Sequence, residues 1–157
     1  MGFQDVRPLT WGEHTRVGSL AVVALPVRHF AGRSLHETRS VPQSYIIQGD
    51  KTVYFGGDSG LTGEFAKIGG AYPIDLAFLP IGHYHPSSFR KGHMSPEDAL
   101  QAMEMLRAKR VVAIHWGAFR LSLETMEEPP RRFLRLLKEK GANPKAVVLQ
   151  PGERIRI

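Results

Sequence analysis

The sequence predicts an α/β protein with a mixed sheet and helices layered on it. Three observations carry this. Short apolar runs, four to six residues long and closed by Gly or Pro, recur along the chain. Two of them flank a tight turn. Two later segments show helix-start chemistry and lie between such runs. The composition agrees with a folded chain. Of 157 residues, 42% are hydrophobic and 23% charged, with no cysteine. That is ordinary globular usage, long enough to bury a core without disulfides, and it excludes collagen-like, coiled-coil and disordered chains.

Residues 20–25 (LAVVAL) are a compact apolar run stopped by Pro26, as in a buried strand. Residues 44–48 (SYIIQ) and 52–55 (TVYF) flank Gly49-Asp50-Lys51 and read as a hairpin. Residues 75–79 (DLAFL) form a short strand ended by Pro80-Ile81-Gly82. At Ser95-Pro96-Glu97-Asp98 a helix begins, with Ser at the N-cap, Pro next and acids in the first turn, and it runs through residue 106. Residues 110–114 (RVVAI) are another buried strand. Pro129 or Pro130 opens a basic helix to residue 140, which Gly141 stops. Residues 147–149 and 154–157 complete the strands, with Pro151-Gly152 turning between them.

The formal charge of +6 raises nucleic-acid binding as a possibility. The basic residues are scattered, and the densest groups, Arg131-Arg132 with Arg135 and Lys138 with Lys140, alternate with leucines at helical spacing. A solvated helix face explains them better, and a nucleic-acid partner ranks last. No apolar run reaches the ~18 residues of a membrane span. The N-terminus lacks the apolar stretch of a secretory signal, so the expected location is cytoplasmic.

Reactive groups in α/β sheets gather past the C-terminal ends of strands. Three strand ends here carry metal-type ligands: His29 follows residues 20–25, Asp58 follows residues 52–55, and His115 follows residues 110–114. Imidazole and carboxylate suit Zn²⁺, Fe²⁺ or Mn²⁺. Each residue taken alone reads as an ordinary loop residue, and Asp58 as an Asx-turn; the threefold coincidence favours a metal site. The glycines around Asp58 suggest room for a ligand and a substrate to approach the backbone. His93, two residues before the helix N-cap, is balanced between binding a substrate and being tied to backbone. His83-Tyr84-His85 has the HxH alternation but lacks a following acid or His, so both are read as solvent-facing loop histidines.

In order along residues 11–130, PVRHFAGR, SYII, VYFGGDSG, LPIG, HMSPE and IHWG resemble the metallo-β-lactamase-fold hydrolases. The branch they resemble contains N-acylphosphatidylethanolamine-hydrolysing phospholipase D and its bacterial relatives. The resemblance implies an αββα sandwich of two halves with two metals between them. It implies His29 on one metal, Asp58 bridging both and His115 on the other, a bridging hydroxide as nucleophile, and His93 beside the substrate. Asp58 and His93 are thus the implied catalytic pair. The family's HxHxDH motif is absent from the chain, which therefore resembles the C-terminal half alone, a partial domain over residues 1–157.

The resulting expectations are a metal-dependent hydrolase of phosphodiester, ester or lactone bonds, with a small-molecule or lipid-like ester substrate. At most one Zn²⁺ (or Mn²⁺ or Fe²⁺) is expected per chain, against two in a complete family site. Activity of the chain by itself is expected to be low. A homodimer or a missing N-terminal half would cover the exposed sheet face. The competing reading is a non-catalytic half-domain that serves oligomerisation or complementation.

Overall fold

The computed structural model describes residues 2–30, 41–141 and 145–156. Arg33, part of the resemblance, lies outside them. Seven strands form one sheet in sequence order: β1 (His14–Val17), β2 (Leu20–Pro26), β3 (Gln43–Gln48), β4 (Thr52–Phe55), β5 (Leu76–Pro80), β6 (Arg110–Ile114) and β7 (Ala146–Val148). The first four pair antiparallel, and β4 to β7 pair parallel. The three α-helices are α1 (Glu64–Ala71), α2 (Pro96–Leu106) and α3 (Glu128–Glu139). The α/β class with a mixed sheet stands as expected.

Two reversals between β2 and β4 leave those strands pointing the same way. β5 and β6 run parallel to β4, so β2, β4, β5 and β6 all end at one edge of the sheet. That common edge is what the site is built on.

Residues in lateral register share a face, and successive residues alternate. One face presents Ile46, Tyr54, Ala77, Val111 and Ala146 in register, all buried in the core with Phe65, Leu100, Leu106, Phe133 and Leu137 from the helices. The helices therefore cover this face, as the sequence predicted. The other face carries Val22, Ile47, Val53, Phe55, Phe78 and Val147, which are half-buried or exposed. None of them joins the main core.

Two elements escaped the sequence reading. β1 is a polar edge strand, HTRV, with no apolar alternation. α1, EFAKIGGA, holds two glycines, poor helix formers. Its helix exists through packing: a Cβ on Gly69 would stand 2.4 Å from the Met105 carbonyl, so only glycine lets α1 lie this close to α2. The strand expected at residues 154–157 is not formed by 154–156, and residue 157 lies outside the described residues.

Candidate metal centre

His29 and Asp58 each stand three residues beyond a strand end, after Pro26 and Phe55, and His115 follows Ile114 directly. Their side chains meet at one atom. Asp58 Oδ2 lies 2.9 Å from His29 Nε2, 3.2 Å from His93 Nε2 and 3.1 Å from His115 Nε2. The structure thus gathers all four residues singled out in the sequence. It also adds a fifth. His83 stands three residues beyond the end of β5, at the same offset as His29 and Asp58, and its Nδ1 lies 3.1 Å from His115 Nε2. His83 is thus half-buried against the cluster and not the solvent-facing loop residue expected, whereas His85 is exposed. The shared offset was the signal that could have found His83.

The loops are held from outside. The buried Ser59 hydroxyl accepts the Arg28 N–H (3.1 Å) and donates to the Gly60 carbonyl (2.8 Å), while the Gly60 N–H donates to the Arg28 carbonyl (2.8 Å). These bonds fix the His29 loop against the Asp58 loop. Glycine at 56 and 60 permits close backbone packing: a Cβ on Gly60 would meet the Lys91 carbonyl at 2.6 Å, and one on Gly56 the Phe78 carbonyl at 2.8 Å. His93 is delivered by the short 3-10 turn Ser87–Lys91 and by the N-cap of α2.

Three imidazoles have one ring nitrogen committed to a backbone carbonyl. His29 Nδ1 donates to Phe30 O (2.8 Å), His93 Nδ1 to Phe89 O (3.0 Å) and His83 Nε2 to Phe119 O (3.1 Å). A carbonyl only accepts, so that nitrogen carries the proton. In the neutral ring the other nitrogen is then a lone pair. Those lone pairs face Asp58 Oδ2 or another imidazole nitrogen. Such facing groups need a proton or a cation between them, and a ligating histidine usually holds its far N–H on a carbonyl in this way. Asp58 Oδ1 is buried and has no hydrogen-bond partner among the described residues. The donor set thus fits a divalent ion.

The electrostatics agree. Burial alone would raise the Asp58 carboxyl, but hydrogen bonds and charge from His115 and His93 outweigh it and hold it well below the usual carboxylate range. The Asp58 carboxylate in turn raises His93, against the opposing effect of burial. Two groups have ligand atoms close enough to share an ion: His29, Asp58 and His93; and His83, His93 and His115. His93, expected beside the substrate, is common to both.

A histidine and aspartate cluster where four strands end defines a candidate metal centre on an α/β sheet, and comparison supplies the family. The β-lactamase superfamily domain matches residues 2–116, and the chain belongs to that family, the metallo-β-lactamase-fold hydrolases. An uncharacterised protein of Mycobacterium tuberculosis is 36% identical over 94% of this chain and 40% of its own length. N-acyl-phosphatidylethanolamine-hydrolyzing phospholipase D 1 of Caenorhabditis elegans is 33% identical over 88% of this chain and 41% of its own. A metallo hydrolase from the archaeon Ignicoccus hospitalis is 31% identical, with a TM-score of 0.73 over 97% of this chain and 60% of its own. An isothiocyanate hydrolase from Delia radicum gut bacteria shares the fold, at TM-score 0.77 and 20% identity. The chain thus spans about two-fifths of the length of the two curated relatives.

Proposed function

We propose that the chain forms the hydrolytic metal centre of a phosphodiesterase or esterase. The observation that carries this is the convergence of His29, His93 and His115 nitrogens on one Asp58 oxygen, with the outer nitrogens of His29 and His93 fixed on carbonyls. Asp58 and the histidines around its Oδ2 would hold the ion, and Asp58 would supply its negative charge. Borderline imidazole nitrogen with one carboxylate suits Zn²⁺, with Mn²⁺ or Fe²⁺ as alternatives. Held by these residues, a divalent ion would supply a water of lowered pKa and a Lewis acid for the phosphoryl or carbonyl oxygen under attack. His93 lies close enough to act as a further ligand or to bind the leaving side of the substrate.

The surroundings favour a substrate with an apolar arm. The residues whose carbonyls orient the three histidines are Phe30, Phe89 and Phe119, with relative exposures of 75%, 40% and 70%. Leu121 and Leu123 extend this exposed apolar stretch. Exposed aromatic and aliphatic groups around a site of this kind suit an acyl or lipid-like ester. The C. elegans relative is named for hydrolysing such a lipid, and we extend that class of substrate to this chain.

The test is hydrolysis of a chromogenic phosphodiester and a chromogenic ester by the chain loaded with Zn²⁺ or Mn²⁺. We expect slow turnover, below the ~1–10³ s⁻¹ of ordinary enzymes, because the HxHxDH ligands are absent from the chain. The activity should vanish with chelator and in Asp58→Asn. A rate equal to that of the free ion would contradict the proposal and favour the non-catalytic half-domain. No helix among the described residues is long and apolar enough to cross a membrane; a cytoplasmic setting remains our reading.

A further inference from the structure

We propose that His83 is a ligand of the metal ion, so that His83, His93 and His115 present a three-imidazole face to it beside Asp58. This rests on the metal-centre reading above and assigns it a ligand outside the family pattern described for the chain.

Four observations converge on His83. First, its ring is polarised like those of His29 and His93: Nε2 donates to the Phe119 carbonyl at 3.1 Å, which leaves Nδ1 as a lone pair. Second, that lone pair is aimed into the cluster, 3.1 Å from His115 Nε2, and the three histidines have ligand atoms within 4.8 Å of one another. Bonds of ~2.0–2.1 Å in a tetrahedral zinc site put neighbouring ligand atoms ~3.3 Å apart, so little movement is needed to admit an ion. Third, His83 has φ 62°, in the left-handed region that a side chain seldom adopts. His115 shares this conformation, at φ 60°. Unfavourable backbone held in place by its surroundings is common where a site requires it.

Fourth, the loop is clamped. Both Glu124 carboxylate oxygens accept backbone N–H groups, from Tyr84 (3.1 Å) and His85 (3.2 Å). The buried Tyr84 donates its hydroxyl to Glu128 and lies under the Arg132 guanidinium. A free surface histidine has no need of such a frame. The imidazole is thus preset, with its tautomer and direction chosen before any ion arrives. His93 belongs to both ligand groups, and one nitrogen cannot serve two separated ions. An ion held by His83, His93 and His115 therefore leaves only His29 and Asp58 of the other group.

The experiment titrates the full chain with Co²⁺, which reports its own coordination through visible d–d absorption. Wild type is compared with His83→Ala, His83→Gln and the loop control His85→Ala. We expect both His83 variants to bind Co²⁺ at least tenfold more weakly, with weaker bands of altered shape, and His85→Ala to match wild type. A wild-type measurement guards against misfolded variants: in long-range ¹⁵N–¹H imidazole spectra, Zn²⁺ should shift His83 Nδ1 while His83 Nε2 stays protonated. If the ion shifts His93 and His115 but leaves His83 Nδ1 in place, or if the His83 variants bind Co²⁺ like wild type, His83 is not a ligand and the metal centre stands without it. If no histidine responds to either ion, the metal-centre reading itself fails, and this inference with it.

Discussion

At the scale of single residues, the site is a matter of where protons are allowed. The carbonyls of Phe30, Phe89 and Phe119 each fix one N–H of a histidine and leave the opposite nitrogen bare. Asp58 Oδ2 faces the Nε2 atoms of His29, His93 and His115 within 3.2 Å. It is the one carboxylate in the two candidate ligand groups. Asp58→Asn keeps the shape and removes that charge. Outer partners of metal ligands are worth ~10–100-fold in affinity, so loss of this direct ligand should cost more than that. His29, Asp58, His93 and His115 were legible because each follows an apolar run or precedes a helix cap. His83 was not: followed by Tyr84, His85 and Pro86, it looks like an ordinary loop residue, and its role depends on a clamp formed by Glu124, Glu128 and Arg132 from far along the chain.

At the scale of elements, the N-terminus of α2 sets the position of His93. Ser95 and Asp98 form a reciprocal capping box, and the Arg90 guanidinium donates to both Asp98 oxygens, with Nε at 2.9 Å. This bracket ties the 3-10 turn to the helix two residues beyond His93. Asp98→Ala removes the cap acceptor and leaves Arg90 unpaired, at a cost of about 1–3 kcal/mol, readable as a lower melting temperature. Burial would raise Asp98, but Arg90 and Ser95 outweigh it and lower its pKa. A lowered carboxylate stabilises the fold above the ordinary Asp value, pH ~4. That stabilisation is lost as pH falls through the lower folded value. The gap between wild type and Asp98→Ala in melting temperature should therefore be full near neutrality and close in acid; a gap independent of pH would contradict the account.

The helix start at Ser95 was plain in the sequence because capping is local chemistry. α1 was hidden because its stability comes from Gly69 nested on Met105 and Leu106, a contact between distant parts of the chain. β1 was hidden for a related reason: a polar edge strand is specified by its partner, β2.

For the molecule as a whole, the helices cover one face of the sheet and leave Val22, Ile47, Val53, Phe55, Phe78 and Val147 half-buried or exposed on the other. Leu76 and Val112 are buried on the same face, but the partly open apolar residues around them leave room for a partner layer. We hold to a homodimer through this face, for which about 800 Å² per partner suffices. Light scattering at micromolar concentration should give twice 17.5 kDa; a monomer that binds no hydrophobic dye would rule it out. The layered α/β architecture was readable from short apolar runs, because strands such as LAFLP and RVVAI in the parallel half are apolar along most of their length. The common edge that gathers the ligands was readable only as a rule about strand ends, since pairing order is set by contacts no single segment contains.

The central claim is that this chain holds a divalent ion at Asp58 and its histidines. Metal content per chain after exhaustive dialysis from Zn²⁺, read by inductively coupled plasma mass spectrometry for wild type and Asp58→Asn, tests it most directly. The account predicts one ion per chain for wild type and essentially none for Asp58→Asn under the same dialysis. Wild type without retained metal, or an Asp58→Asn variant that keeps a full complement, would contradict it.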